Sequence, residues 1–204
     1  ITNSDIEFEH VSFTYPESEN EVIHDVNLKI KSGSIVAFVG KSGGGKSTLV
    51  SLIPRFYDVT KGTIKIGGVD VKEISEKELM SKISFVFQDS RLLKKSFKEN
   101  IKMGSNASVE DIQTAVHKAQ CDDIIEKFDQ GLETKIGSKG VYLSGGETQR
   151  LTLARAIVKD APILLLDEAT AYADSDNEVL MQKAIMELAK DKTTIMIAHR
   201  LSTI

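Results

Sequence analysis

Nine consecutive residues restrict this chain more than any others, Gly40-Lys41-Ser42-Gly43-Gly44-Gly45-Lys46-Ser47-Thr48, directly behind the apolar run Ile35 to Val39. They fit the phosphate-loop pattern G-x-x-x-x-G-K-[ST], and the apolar run reads as a buried strand. Glycine is needed in such a loop because triphosphate oxygens must reach backbone N–H groups, and a Cβ would obstruct the approach. Lys46 offers a mobile positive charge to β- and γ-phosphates, and the Ser47 hydroxyl can ligate Mg²⁺. Leu49, Leu52 and Ile53 carry the pattern on as a helix toward Pro54. Strand, loop and helix in this order predict an α/β fold.

Two further stretches narrow the reading. Ile163-Leu164-Leu165-Leu166-Asp167-Glu168 is a second buried strand that ends in two carboxylates. Parallel α/β sheets hold ligands at such carboxyl ends. Between the two strands lies Leu143-Ser144-Gly145-Gly146-Glu147, with Ser144 three residues ahead of a glutamate. A helical pattern follows, with Leu151, Ala154, Ile157 and Val158 on one face, so the stretch is a capping box at a helix start. Its two glycines leave backbone N–H groups bare at the positive end of a helix dipole, a ready anion site. By itself this stretch would be an ordinary capped helix.

Together the three motifs resemble the nucleotide-binding domain of an ATP-binding cassette (ABC) transporter, over essentially the whole chain. The resemblance implies a P-loop NTPase (RecA-like) core with an antiparallel β subdomain and an inserted α-helical subdomain. Residues 1–89 and 160–204 would form the ATP-binding core with its antiparallel part, and 90–159 the helical subdomain that carries the signature motif at 143–147. ATP and Mg²⁺ are the implied cofactors. The implied activity is ATP hydrolysis by a dimer closed around two Mg-ATP, powering transport through an associated transmembrane domain.

The bulk properties agree with that placement. With 204 residues the chain suffices for one substantial core. Its 26 basic and 30 acidic residues give a net charge of −4, with no basic excess to suggest nucleic acid or an anionic membrane surface. Uninterrupted apolar runs reach only four or five residues, against about 20 for a spanning helix. The chain is therefore not expected to cross a membrane itself. Cys121 is the single cysteine, and nothing at the N-terminus resembles a signal peptide, so a reduced cytosolic setting is expected. Cys121 itself reads as a small buried or half-buried residue.

Along the chain, Ile6 and Phe8, then Val11 and Phe13, then Val26, Leu28 and Ile30 alternate with polar residues, with a turn-rich loop at Pro16 to Asn20. These read as antiparallel strands. Thr63 to Ile66 and Ser84 to Phe87 are further strands, and Ser75 to Glu78 opens a short helix with another capping box. From Ser90 to Lys159 the pattern is mostly helical, with Ile112, Ala115, Val116 and Ala119 on one face and Ile124, Ile125 and Phe128 on another. A last helix carries Leu180, Ala184, Ile185 and Leu188, and Thr194 to Ala198 is the last strand.

The resemblance assigns roles to particular residues. Nucleotide would be held by Tyr15, an aromatic that stacks on adenine, and by Gly40, Ser42, Gly43, Gly44, Gly45, Lys46, Ser47 and Thr48. Ser144, Gly145 and Gly146 would reach the ATP of the partner subunit, and Asp174, in the loop that crosses the dimer axis, would belong to the nucleotide site. Mg²⁺ would take Ser47, Gln88 and Asp167. Gln88, in Phe85-Val86-Phe87-Gln88-Asp89, matches the Q-loop that touches Mg²⁺ and the attacking water. Glu168 would polarise that water, and His199, in Ile197-Ala198-His199-Arg200, matches the switch histidine at the γ-phosphate. Without the resemblance, Tyr15 is a strand-end aromatic, Gln88 a solvated amide and His199 a solvated or structural histidine. Phe97 to Ile101 and Glu133 to Gly140 resemble the segments of exporter-fold proteins that meet the coupling helices of the membrane domain.

Two positions depart from the pattern. Glu147 replaces the commonest glutamine of the signature; either side chain closes the capping box, but a carboxylate near another subunit's γ-phosphate would repel it. Ala171-Tyr172-Ala173-Asp174 replaces the usual serine-alanine-leucine-aspartate of the D-loop. Both departures resemble a siderophore- or iron-related branch of exporter-fold proteins. The chain starts at its first strand and stops five residues after His199, so it is expected to be a domain of a longer polypeptide. Its expected partners are a transmembrane permease domain and a second nucleotide-binding domain, identical or not, at the cytoplasmic face of the cell membrane, with no nucleic acid. A soluble ABC ATPase acting on nucleic acid or ribosomes, and a regulatory subunit of negligible turnover, are the alternatives.

Overall fold

The computed structural model describes residues 3–87, 91–137, 141–167 and 175–198. Its first elements are strands β1 (Ile6–Thr14), β2 (Glu21–Ile30) and β3 (Ile35–Val39), helix α1 (Lys46–Leu52), strands β4 (Lys61–Ile66) and β5 (Val69–Asp70), helix α2 (Glu76–Lys82) and strand β6 (Ile83–Val86). Helices α3 (Phe97–Lys102), α4 (Val109–Lys118), α5 (Asp122–Glu126) and α6 (Gly145–Lys159) follow, then β7 (Ile163–Asp167), α7 (Ser175–Ala189) and β8 (Thr193–Ala198). They pack as two compact units. One contains the chain up to Ser84, Ala161–Asp167 and the segment from Asp191; the other contains Phe85–Asp160 and the segment ending at Lys190. Grouping 1–89 and 160–204 as the core differs from this after Ser84, where Phe85 begins the other unit, and at α7, which packs on α4 and α6 and so falls with the helices.

The first unit has an antiparallel sheet in the order β2-β1-β4-β5. Its register accounts for a phase change in the sequence. Ile6 and Phe8 are buried, and so are Val11 and Phe13, yet strict alternation cannot carry an even-numbered face into an odd-numbered one. The change is made at Glu9-His10, where the pairing of β1 slips against both neighbours and His10 takes a φ of 49°. This is a β-bulge. Gly62 of β4 lies against it with a φ of 79°, and a Cβ there would stand 2.2 Å from the His10 carbonyl oxygen.

The second sheet has the order β3-β8-β7-β6. β3 runs parallel to β8, and β8 to β7, with Val39 beside Ala198 and Asp167 beside Ile197. Parallel neighbours need crossover connections, and the carboxyl ends of all three strands consequently share one edge. Ile163 to Leu166 are buried as expected. The expectation of burial fails for β3, where Ile35 and Val39 are 53% and 47% exposed and the residues between are half-buried. Among the described residues β3 has one strand neighbour where β7 has two, so its apolar composition does not bury it.

In the second unit the signature helix α6 is the centre. It is packed by α3, α4 and α7, and Leu153 and Ala156 are buried along with Leu151 and Ala154. The single face read from the sequence is too narrow for the middle of the helix, where neighbours on several sides bury every residue from Gln149 to Ala154, and too generous for its last turns, where Ile157 and Val158 are only half-buried. Arg150, 2% exposed, is held by both Asp123 oxygens at 2.7 and 3.0 Å and also donates to the Gln120 carbonyl. The Arg150 guanidinium accordingly holds the Asp123 carboxyl below the usual carboxylate range. Reciprocal capping boxes close at Ser96/Glu99, Ser108/Asp111 and Ser144/Glu147. At Ser75 only the serine half is made, with the Glu78 N–H donating to Ser75 Oγ at 3.3 Å. Cys121 is buried, which pushes its thiol well above the ordinary range.

Gly62→Ala should therefore destabilise the chain by about 3 kcal/mol or more although Gly62 is exposed, because neither the bulge carbonyls nor the left-handed backbone can yield. Gly68 has a φ of 81° with nothing within 4 Å of its virtual Cβ, so Gly68→Ala should cost only about 1 to 2 kcal/mol. Urea unfolding of the two variants checks the difference; equal costs would contradict the bulge contact.

Candidate functional site

β3 delivers the chain to residues 40–45, and α1 starts at Lys46 with Gly45 as its N-cap. Gly45 must be glycine on two grounds. Its φ is 82°, and a Cβ would lie 2.9 Å from Ile23 Cδ1 and 3.1 Å from the Val22 carbonyl oxygen. Gly43, with a φ of 77°, has nothing within 4 Å of its virtual Cβ, so one side of the loop is open to a ligand. The Lys46 ammonium folds over the loop and donates to the carbonyls of Gly40 at 2.9 Å and Lys41 at 2.8 Å. An ammonium has three protons to give, so this grip shapes the loop and leaves one for an anion. An open cleft of about 470 Å³ runs beside the loop, lined by residues that include Val22, His24, Phe38 and Lys46.

Ser47 and Asp167 are far apart in the sequence and meet in space. The Ser47 hydroxyl donates to Asp167 Oδ1 at 3.4 Å, because α1 begins where β3 ends and β7 ends on the same sheet edge. A hydroxyl and a carboxylate side by side are hard oxygen donors of the kind Mg²⁺ prefers. Among the described residues no three His, Cys, Asp or Glu side chains form a metal cage. Such a pair suits an ion that takes its remaining oxygens from phosphate and water.

Tyr15 stands next to this loop. Its hydroxyl bonds Thr48 Oγ1 at 2.8 Å, and its ring packs edge-on against Phe13 at 4.8 Å and Tyr57 at 5.2 Å between centroids. Thr48 thereby anchors the aromatic. Tyr57 is a member of the group that the sequence reading did not single out for this place; nothing local marks a contact made between residues so distant in the chain.

In the second unit, Ser144 Oγ accepts the Glu147 N–H at 3.1 Å, and Glu147 Oε2 accepts the Ser144 N–H at 2.8 Å. The N–H groups of Gly145 and Gly146 then have no intrahelical acceptor. Glu147 Oε1 is bonded by the Lys127 ammonium. Burial alone would raise the Glu147 carboxyl, but the bonds from Lys127 and Ser144 outweigh it and hold the group below its ordinary value. Lys127 was not foreseen, since nothing in the sequence near it points to position 147.

The two stretches linked to coupling helices also meet in this unit. The Phe97 N–H donates to the Thr134 carbonyl at 3.1 Å and that of Ile136 to Lys95 at 3.0 Å, while Lys98 pairs with Glu133 at 2.8 Å. Phe97 and Ile101 themselves are core residues, so the outward part of α3 is formed by Lys98 and Glu99. Gln88, Glu168, Asp174 and His199 lie outside the described residues, as do residues 138–140 and 171–173. No helix of the described residues is long and apolar enough to cross a membrane.

Comparison with known proteins bears on the motifs as a set. Residues 23–171 match the family model of the ABC transporter. YgaD of Bacillus subtilis (strain 168), provisionally named a multidrug export ATP-binding/permease protein, is 47% identical over 200 residues, covering 98% of this chain and 34% of its own length. A similarly named protein of Staphylococcus aureus (strain NCTC 8325 / PS 47) is 47% identical over 205 residues, covering 100% of this chain and 36% of its own. Among solved structures, a bacterial Atm1-family ABC exporter with ATP bound superposes with a TM-score of 0.91 at 39% identity, over 100% of this chain and 36% of that one. None of these three names mentions siderophores. The chain spans about a third of the length of the curated relatives it matches. Because the family model matches well over half of it, residues 23–171, the chain belongs to the ABC transporter family.

Proposed function

We propose that the chain is the ATP-binding and ATP-hydrolysing domain of an exporter-type ABC transporter, acting as a dimer that closes around two Mg-ATP and drives an attached or separate transmembrane domain at the cytoplasmic face of the membrane. The observation that carries the reading is the meeting of Ser47 with Asp167 beside a loop gripped by Lys46. Phosphate oxygens would lie against the loop N–H groups, with the Lys46 ammonium neutralising charge on the β- and γ-phosphates. Tyr15 supplies an aromatic surface for the base. Ser47 and Asp167, with Gln88, would hold Mg²⁺, which when bound neutralises the phosphate charge.

The chemistry asks for positioning more than covalent help. Glu168 accepts a hydrogen bond from the water whose oxygen attacks the γ-phosphorus, the bond from the γ-phosphorus to the bridging oxygen breaks with its electron pair leaving on ADP, and the water's proton passes to the released phosphate. His199 keeps the water in line. Ser144, Gly145 and Gly146 of a second chain complete the site by donating to the γ-phosphate. The net charge of −4 and the similarity to exporters weigh against a soluble ATPase that acts on nucleic acid.

Glu168→Gln should lower hydrolysis by about a hundredfold or more while leaving ATP affinity nearly unchanged. Turnover assays beside equilibrium binding of a fluorescent ATP analogue test this, and an equal loss of both contradicts the role given to Glu168. Ser47→Ala should remove the tightening of ATP binding by Mg²⁺ while sparing metal-free binding; an unchanged Mg²⁺ dependence would exclude Ser47 as a ligand.

A further inference from the structure

Glu147 places a full negative charge in the first turn of α6, the turn that the reading above makes responsible for a γ-phosphate. The carboxylate is fixed at both oxygens, Oε2 by the Ser144 N–H at 2.8 Å and Oε1 by the Lys127 ammonium. Its side chain is only 13% exposed, so solvent and salt screen it less than a free surface charge. It cannot turn away without opening the capping box. A neutral glutamine would make the same return bond to Ser144 and need no counter-charge. Arg150, in the next turn, is committed to Asp123 and the Gln120 carbonyl and supplies none.

We propose that Lys127 is a positioning residue of the signature: paired with Glu147, it cancels the carboxylate charge at the α6 N-terminus and so lets Ser144, Gly145 and Gly146 receive the γ-phosphate of an ATP bound by a second copy. The inference rests on the reading of the signature as acting between two chains. Lys127 and Glu147 then form one functional pair. Loss of the lysine alone leaves a carboxylate without a counter-charge, which offsets the positive end of the helix dipole that would attract the phosphate and repels the phosphate directly. Loss of both charges restores a neutral cap.

The test is Mg-ATP-dependent dimerisation of the 204-residue chain, carrying Glu168→Gln to slow turnover, followed by light scattering, with binding of a fluorescent ATP analogue measured alongside. Lys127→Ala should raise the protein concentration needed for half-dimerisation by roughly tenfold, with no matching loss of ATP binding by the monomer. Added salt should narrow the defect, and Lys127→Ala with Glu147→Gln should dimerise as Glu147→Gln does alone. If Lys127→Ala dimerises like its parent, or the double variant stays as weak as Lys127→Ala, the inference is overturned while the two-chain reading stands. A parent that binds ATP and remains monomeric overturns the two-chain reading and this inference with it.

Discussion

Parallel pairing of β3 with β8 and of β8 with β7 puts the carboxyl ends of these strands on one edge, and the chemistry of the first unit depends on that edge. The phosphate loop leaves the end of β3 and Asp167 closes β7, so Ser47 reaches a carboxylate that the sequence places far away. The remaining features of the site secure this junction. Gly45 fits only without a side chain, Lys46 closes over the loop carbonyls, and Tyr15 is tied to Thr48. A distortion of β3 or β7 would therefore separate loop from carboxylate before it changed any reacting group.

The second unit is organised by a different force. α6 is enclosed by three helices, and its interior carries Arg150 as well as aliphatic side chains. A buried guanidinium is tolerable only when paired, and Asp123 with the Gln120 carbonyl pairs it. The segment around α5 is thus attached to α6 at Arg150 and again at Glu147 through Lys127. Both attachments hold the Ser144 end of the helix, whose Gly145 and Gly146 N–H groups have no intrahelical acceptor, which is the property an anion site uses.

Motifs were legible in the sequence where local spacing dictates the chemistry. The phosphate loop, the Ser144/Glu147 box and the buried strand at 163–166 follow from glycine placement, an i,i+3 pair and an apolar run, and each is found. The jump from Phe8 to Val11 already held the bulge, though alternation alone does not say which residue is extra. What sequence could not supply depends on neighbours far along the chain. The edge position of β3, the all-round burial of α6, the Tyr15–Tyr57 contact and the Lys127–Glu147 pair are of this kind. Charge gives the clearest example: Glu147 read alone is a repulsive substitution, and with Lys127 it is half of a neutral pair.

The central claim is that one chain's phosphate loop and another chain's Ser144 form a single site. Mixing two disabled variants tests it most directly. Lys46→Ala removes the loop's cation and Ser144→Arg blocks the signature, and neither should hydrolyse ATP alone. Mixed, they should regain Mg-ATP-dependent association and hydrolysis, because the sound loop of one then faces the sound signature of the other. A mixture as inert as either variant by itself would contradict the account.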